Sequence, residues 1–76
     1  MAELLEYLAR QLVDHPEAVR VEQLDDDGTI VLKLDVAEDD VGKVIGRQGK
    51  IARALRAVLR ASAGADGQRV LLEIAD

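Results

Sequence analysis

The sequence predicts an α+β fold: one domain with a three-stranded sheet and helices packed on one of its faces. Three observations predict it. Apolar residues recur at helical spacing in three segments and alternate in three others, in the order α-β-β-α-α-β. An Asp-Gly turn joins the first two alternating segments, as in a hairpin. The 76 residues suffice for one domain, and no cysteine is present to support a disulfide framework.

The spacing of Leu4, Leu5, Leu8, Leu12 and Val13 predicts a first helix over 2–14. Asp14-His15-Pro16 should end it, because proline disfavours helical geometry in the residue before it. Val19, Val21 and Gln23 alternate with Arg20, Glu22 and Leu24, which reads as a strand. Asp25-Asp26-Asp27-Gly28 is the expected turn. In the next strand Ile30, Leu32, Leu34 and Val36 share one face, and Val31, Lys33 and Asp35 the other. Glu38-Asp39-Asp40 suits a helix start, where carboxylates cap free N–H groups and meet the positive dipole end. A short helix is expected over about 39–45, broken by Gly46-Arg47-Gln48-Gly49. A longer helix should run to about 62, with Ile51, Leu55, Val58, Leu59 and Ser62 on its inner face. A loop over 63–67 precedes the last strand, where Val70, Leu72 and Ile74 alternate with Leu71, Glu73 and Ala75. Val31 and Leu71 should lie on the sheet face away from the helices.

The formal net charge is −5, yet residues 42–61 hold six of the ten basic residues and none of the fifteen acidic ones. Four basic and fifteen acidic residues remain elsewhere, a net of −11. The positive charge is thus concentrated beside a Gly-Arg-Gln-Gly turn that opens a helix. Glycines admit another backbone, helix N-termini attract anions, and Lys and Arg neutralise phosphate. The island reads as a small surface for a nucleic-acid backbone. Tyr7 is the sole aromatic residue, which weighs against folds that stack bases on aromatic rings.

Two common phosphate loops fail on residue identity. A Walker A loop would need glycine at position 44 and Ser or Thr at 51, where Val44 and Ile51 stand. The dinucleotide pattern also needs glycine at 44, and should follow a strand rather than a helix. Between two helices, Val44-Ile45-Gly46-Arg47-Gln48-Gly49-Lys50-Ile51 resembles the KH signature V-I-G-x-x-G-x-x-I, with a one-residue slide at the last apolar position. The element order resembles the type II, prokaryotic KH arrangement, so the expected architecture is a single KH domain over residues 1–76. Leu12-Val13-Asp14-His15-Pro16-Glu17, Val19-Arg20-Val21, Val41-Gly42-Lys43 and the ending Leu72-Glu73-Ile74-Ala75-Asp76 extend the resemblance to the small stand-alone bacterial KH proteins of the KhpA family. The Asp25–Asp27 turn and the 63–67 loop depart from it.

The resemblance implies binding of single-stranded RNA in the cytoplasm, as an RNA chaperone or post-transcriptional regulator. It also implies partnership with a second KH chain of the KhpB/Jag type; separately, the small size of the chain and its few charge contacts call for a second KH unit, through a homodimer or such a heterodimer. A link to cell shape and envelope synthesis is implied for some bacteria. On this reading Gly46 and Gly49 let the RNA backbone pass close, while Arg47 and Gln48 project from the loop tip. Lys43, Lys50 and Arg53 flank the loop as phosphate contacts. Val41, Val44, Ile45 and the second strand floor an apolar groove for bases. Arg56 and Arg60 read as a solvated helix face.

Other classes fit less well. His15 has no second histidine or cysteine for a metal site, and Asp25–Asp27 lack the spaced ligands of a calcium loop. No metal or cofactor is expected. Ser62, Thr29 and Tyr7 stand apart from any base in sequence, so no enzyme is expected. No apolar run approaches a membrane span, and Glu3 and Glu6 stand where a signal peptide would be basic. The alternative function is a protein-interaction adaptor on a KH scaffold with no direct RNA role.

Overall fold

The computed structural model describes residues 1–63 and 68–75. Helix α1 spans Ala2–Leu12, and strands β1 and β2 span Arg20–Asp26 and Thr29–Asp35. Helices α2 and α3 span Val41–Ile45 and Lys50–Ser62, and β3 spans Arg69–Ile74. Single 3-10 turns occupy Pro16–Ala18, Glu38–Asp40 and Arg47–Gly49. The element order is the one the hydrophobic pattern predicts. The loop expected at 63–67 lies, beyond Ala63, outside the described residues.

The sheet has strand order β1-β2-β3, with β1 antiparallel and β3 parallel to the central β2. The hairpin is tighter than its four-residue turn suggested. Asp25 and Asp26 are strand residues paired with Ile30 and Thr29, and only Asp27 and Gly28 turn. Both have positive φ, 51° and 85°, which fits the right-handed twist of a two-residue hairpin.

Ile30, Leu32, Leu34, Val70 and Leu72 point inward and meet Leu5 and Ala9 of α1, Val44 of α2, and Leu55 and Leu59 of α3. Leu32 and Leu34 are completely buried. Each such side chain contributes about 1.5–3 kcal/mol. Val58, expected inside, is instead 42% exposed, and Ser62 is exposed too. The buried stripe of α3 is Ala52, Leu55 and Leu59, one step round the helix from the expected face. On the outer sheet face Leu24, Val31 and Leu71 are cross-strand neighbours in one row, as their alternation requires.

Helix α1 stops at Leu12, two residues before its expected end. Val13 is extended (φ −102°, ψ 162°), and the next two N–H groups leave the helical direction for a distant acceptor. That acceptor is Asp40, the buried charged residue of the structure's described part. Its carboxylate accepts hydrogen bonds from the N–H of Asp14 (3.2 Å) and of His15 (2.9 Å). Asp40 was expected to cap its own helix, but no side chain caps α2. It ties the end of α1 to the start of α2 instead.

Candidate nucleic-acid interface

The connection from α2 to α3 is built from unusual backbone. Gly46 has φ 77° and ψ 171°, a region open only to glycine, and Gln48 (57°, 24°) and Gly49 (74°, 16°) are both left-handed. The N–H of Gly49 donates to the carbonyl of Gly46 at 3.1 Å, closing a tight turn. The two glycines are needed for different reasons. A Cβ at Gly46 would lie 2.9 Å from the Ile51 backbone nitrogen and 2.6 Å from its Cγ1. A Cβ at Gly49 would meet nothing within 4 Å. Gly46 is therefore a packing glycine, and Gly49 faces open space that a ligand backbone can enter. Arg47 and Gln48 are exposed at the tip. No side chain caps the N-terminus of α3; the Lys50 N–H donates to the Arg47 carbonyl, and the positive end of the helix dipole faces the turn, where it favours an anion.

A shallow groove of about 380 Å³ opens beside this turn, lined by Ile45, Gly49, Ala52, Arg53, Arg56 and Ile74. Its walls are the end of α2, the outer flank of α3 and the end of β3. Ile45, Gly49 and Arg53 are thus brought together at one concavity. Arg56, read from the sequence as part of a solvated helix face, also lines the groove and is half-buried. Ala52 and Ile74 were missed. The strand contribution is also corrected: β2 is central and its inner face is covered, so the edge strand β3 lines the groove.

Other expected residues go elsewhere. Val44 is completely buried and offers no groove surface. Val41 lines a separate concavity with Asp35, Val36, Glu38 and Ala75. Lys50 borders an apolar groove between α1 and α3, with Leu8, Leu12, Ile51, Ala54 and Val58. At 100° per residue, that groove lies on the side of α3 roughly opposite Arg53 and Arg56.

Lys43 faces α1. Its Nζ is 3.1 Å from Asp14 Oδ2 and 3.7 Å from Asp40 Oδ1. The hydrogen bond and charge of Asp14, aided by Asp40, raise its pKa against some loss of hydration. Burial pushes the Asp40 carboxyl up, but two backbone N–H donors, with His15 and Lys43 nearby, outweigh it and leave a net lowering. A carboxyl with a lowered folded pKa stabilises above its unfolded value, and that stability is lost as pH falls through the folded value. Acid should therefore weaken the fold below about pH 4. Asp40→Asn should lower the melting temperature at neutral pH by several degrees and flatten this acid limb. Melting curves across pH check it; an unchanged acid slope in the variant would remove Asp40 from the account.

Among the described residues no group of three or more acidic or histidine side chains could hold a metal ion. No described helix is long and apolar enough to cross a membrane.

The fold is found in two structures of Era. One, from Aquifex aeolicus and bound to GDP and aluminium fluoride, matches with a TM-score of 0.56 at 22% identity. The other, in complex with MgGDPNP and a stretch of 16S ribosomal RNA, matches with a TM-score of 0.54 at 23% identity. Each match covers 96% of this chain and 28% of the Era chain. Sequence relatives are nearer. The chain is 47% identical to "RNA-binding protein KhpA" of Clostridium acetobutylicum, over 97% of this chain and 99% of that one. It is 49% identical to the protein of that name from Halalkalibacterium halodurans, over the full length of both. It is 54% identical to that of Treponema pallidum, over 97% of this chain and 92% of that one. These names accord with a binding module rather than an enzyme. The family model for the KhpA/KhpB KH domain matches residues 2–74, and with the α-β-β-α-α-β order and the Gly46–Gly49 turn this places the chain in the KhpA/KhpB family of KH domains.

Proposed function

We propose that the protein binds single-stranded RNA, with the backbone held at the Gly46–Gly49 turn and the bases along the groove toward β3. The observation that carries this reading is the groove itself. It joins an open glycine, an uncapped helix N-terminus and two arginines to the apolar surface of Ile45, Ala52 and Ile74. Arg47 supplies up to five donors to phosphate oxygens, and Gln48 neutral hydrogen bonds. As an edge strand, β3 carries backbone groups on its free side that can meet base edges. The relatives named as RNA-binding proteins support the same reading.

The groove is short and has no aromatic platform, so affinity should be micromolar or weaker. With three or four phosphates neutralised, log K should fall with log salt at a slope of about −2 to −3. Fluorescence anisotropy of labelled single-stranded RNA in a salt series tests this. No saturable binding at low salt would overturn the reading.

Useful affinity then calls for a second KH unit, a copy of this chain or a KhpB-type protein, because linked sites gain roughly 10²–10⁴ in avidity. The apolar groove between α1 and α3 gives specific weight to a protein contact, and it leaves the arginine side open. Cross-linking in cells separates the functions. RNA recovered with the protein supports RNA binding, whereas a protein complex that survives nuclease with no RNA recovered favours the adaptor reading. A cytoplasmic post-transcriptional role, as RNA chaperone or as regulator of cell shape and envelope synthesis, belongs to this proposal. Deletion followed by microscopy and RNA sequencing tests it; unchanged shape and transcript levels would sink the regulatory part.

A further inference from the structure

The arginines of α3 continue past the groove. Arg53, Arg56 and Arg60 are spaced by three and four residues, so they fall within an arc of about 60° on one flank of the helix. From Arg53 to Arg60 the stripe runs about 10 Å along the axis, at roughly 1.5 Å per residue. Beyond Arg56 it opens into a second concavity of about 380 Å³, lined by Arg60, Gln68, Arg69, Val70 and Leu71. The two concavities lie in sequence along the same pair of elements. Ile45, Gly49 and Ile74 mark the first, at the start of α3 and the end of β3. Arg60 and Arg69 mark the second, at the end of α3 and the start of β3.

No carboxylate among the described residues pairs with the charges of this flank. Among the described residues, the ion pairs are Arg10 with Glu6, His15 with Glu17, and Lys43 with Asp14 and Asp40. Arg53, Arg56, Arg60 and Arg69 enter none of them. In a chain of net charge −5, Arg53, Arg56 and Arg60 share one flank of α3, and Arg69, from the outward-facing row of β3, joins Arg60 at the rim of the second concavity, a surface that favours a polyanion. Gln68 adds amide donors and an acceptor, and Leu71, 51% exposed, adds apolar surface to the same lining.

The geometry points to a second RNA subsite at Arg60 and Arg69, so that the strand leaving the turn and groove continues along α3 to the start of β3. This inference rests on the RNA-binding reading of the groove. It makes the binding track longer than the stretch of about four nucleotides that a KH loop clamps. Arg60 and Arg69 contact phosphates of the continuing strand, and they are silent toward an RNA that fills only the groove.

The test compares labelled single-stranded oligouridylates of about four and about ten nucleotides on wild-type protein and on Arg60→Gln/Arg69→Gln. Both arginines are exposed, so the substitutions should leave the fold intact, and binding of the short RNA serves as an internal check. On the longer RNA the variant should lose about tenfold in affinity near physiological salt, and its salt slope should become shallower by about 1.4. On the short RNA it should match the wild type. Equal affinity of variant and wild type for the longer RNA overturns the inference, and so does an equal loss on both lengths, which marks a general field effect. An Arg47→Asp/Gln48→Asp protein that has lost both RNAs keeps the groove reading intact in either case. Failure of the wild type to bind either length overturns the groove reading together with the subsite.

Discussion

Arg47→Asp combined with Gln48→Asp is expected to weaken single-stranded RNA binding by about 100-fold with no loss of stability. Removing one phosphate contact costs roughly fourfold near physiological salt. Two new carboxylates within contact distance of phosphate add about 1 kcal/mol of repulsion each even at the dielectric of water, a further factor of roughly 30. The fold should not register the change. Both side chains are exposed, and neither enters an ion pair among the described residues. Gln48 already holds a left-handed conformation (φ 57°), which aspartate tolerates better than most residues. Two carboxylates just before α3 also meet the positive end of that helix. Anisotropy titrations and thermal melts on the same samples check both halves. An affinity within twofold of wild type would remove the turn from the binding site.

How much of this site was legible before the fold was known differs residue by residue. The turn was legible because its cause is local: two glycines, a basic tip and Val-Ile before it specify a backbone no other common motif needs. The hairpin was legible for the same reason, although pairing of Asp25 with Ile30 and Asp26 with Thr29 shortened its loop to two residues. What stayed hidden depends on partners far away in sequence. Asp40 reads locally as a helix cap, and only the return of α1 toward α2 brings the Asp14 and His15 N–H groups, 26 and 25 residues distant, to its carboxylate. Lys43 belongs to the basic island by position, yet the same junction turns it to Asp14 and Asp40. Ile74 enters the groove because β3 crosses over to lie parallel to β2, leaving its end beside Gly49 and Arg53. The place of Arg56 beside the groove was recoverable, since its spacing from Arg53 and Arg60 places all three on one flank.

The two turn glycines should separate folding from binding. Gly46→Ala is expected to destabilise the domain by about 2–6 kcal/mol. Its backbone (φ 77°, ψ 171°) is a region essentially limited to glycine, which accounts for about 1–3 kcal/mol. The added methyl also meets the Ile51 backbone nitrogen at 2.9 Å, and that atom cannot retreat without shifting the start of α3, an overpacking cost of about 1–3 kcal/mol. For a domain of this size, each kcal/mol lowers the melting temperature by about 4–8 °C, so a fall of at least about 8 °C is expected. Total stability near the low end of about 5–15 kcal/mol would leave much of the protein unfolded at growth temperature. Gly49→Ala should behave differently. Its conformation (74°, 16°) costs an alanine only about 1–2 kcal/mol, and the new methyl touches nothing in the protein. It projects instead into the space assigned to the RNA backbone. Gly49→Ala should therefore stay folded and bind RNA poorly, whereas Gly46→Ala should fail first in a thermal melt. Equal destabilisation by the two substitutions would show that both glycines serve packing alone, and would remove the open face of Gly49 as the place where the strand passes.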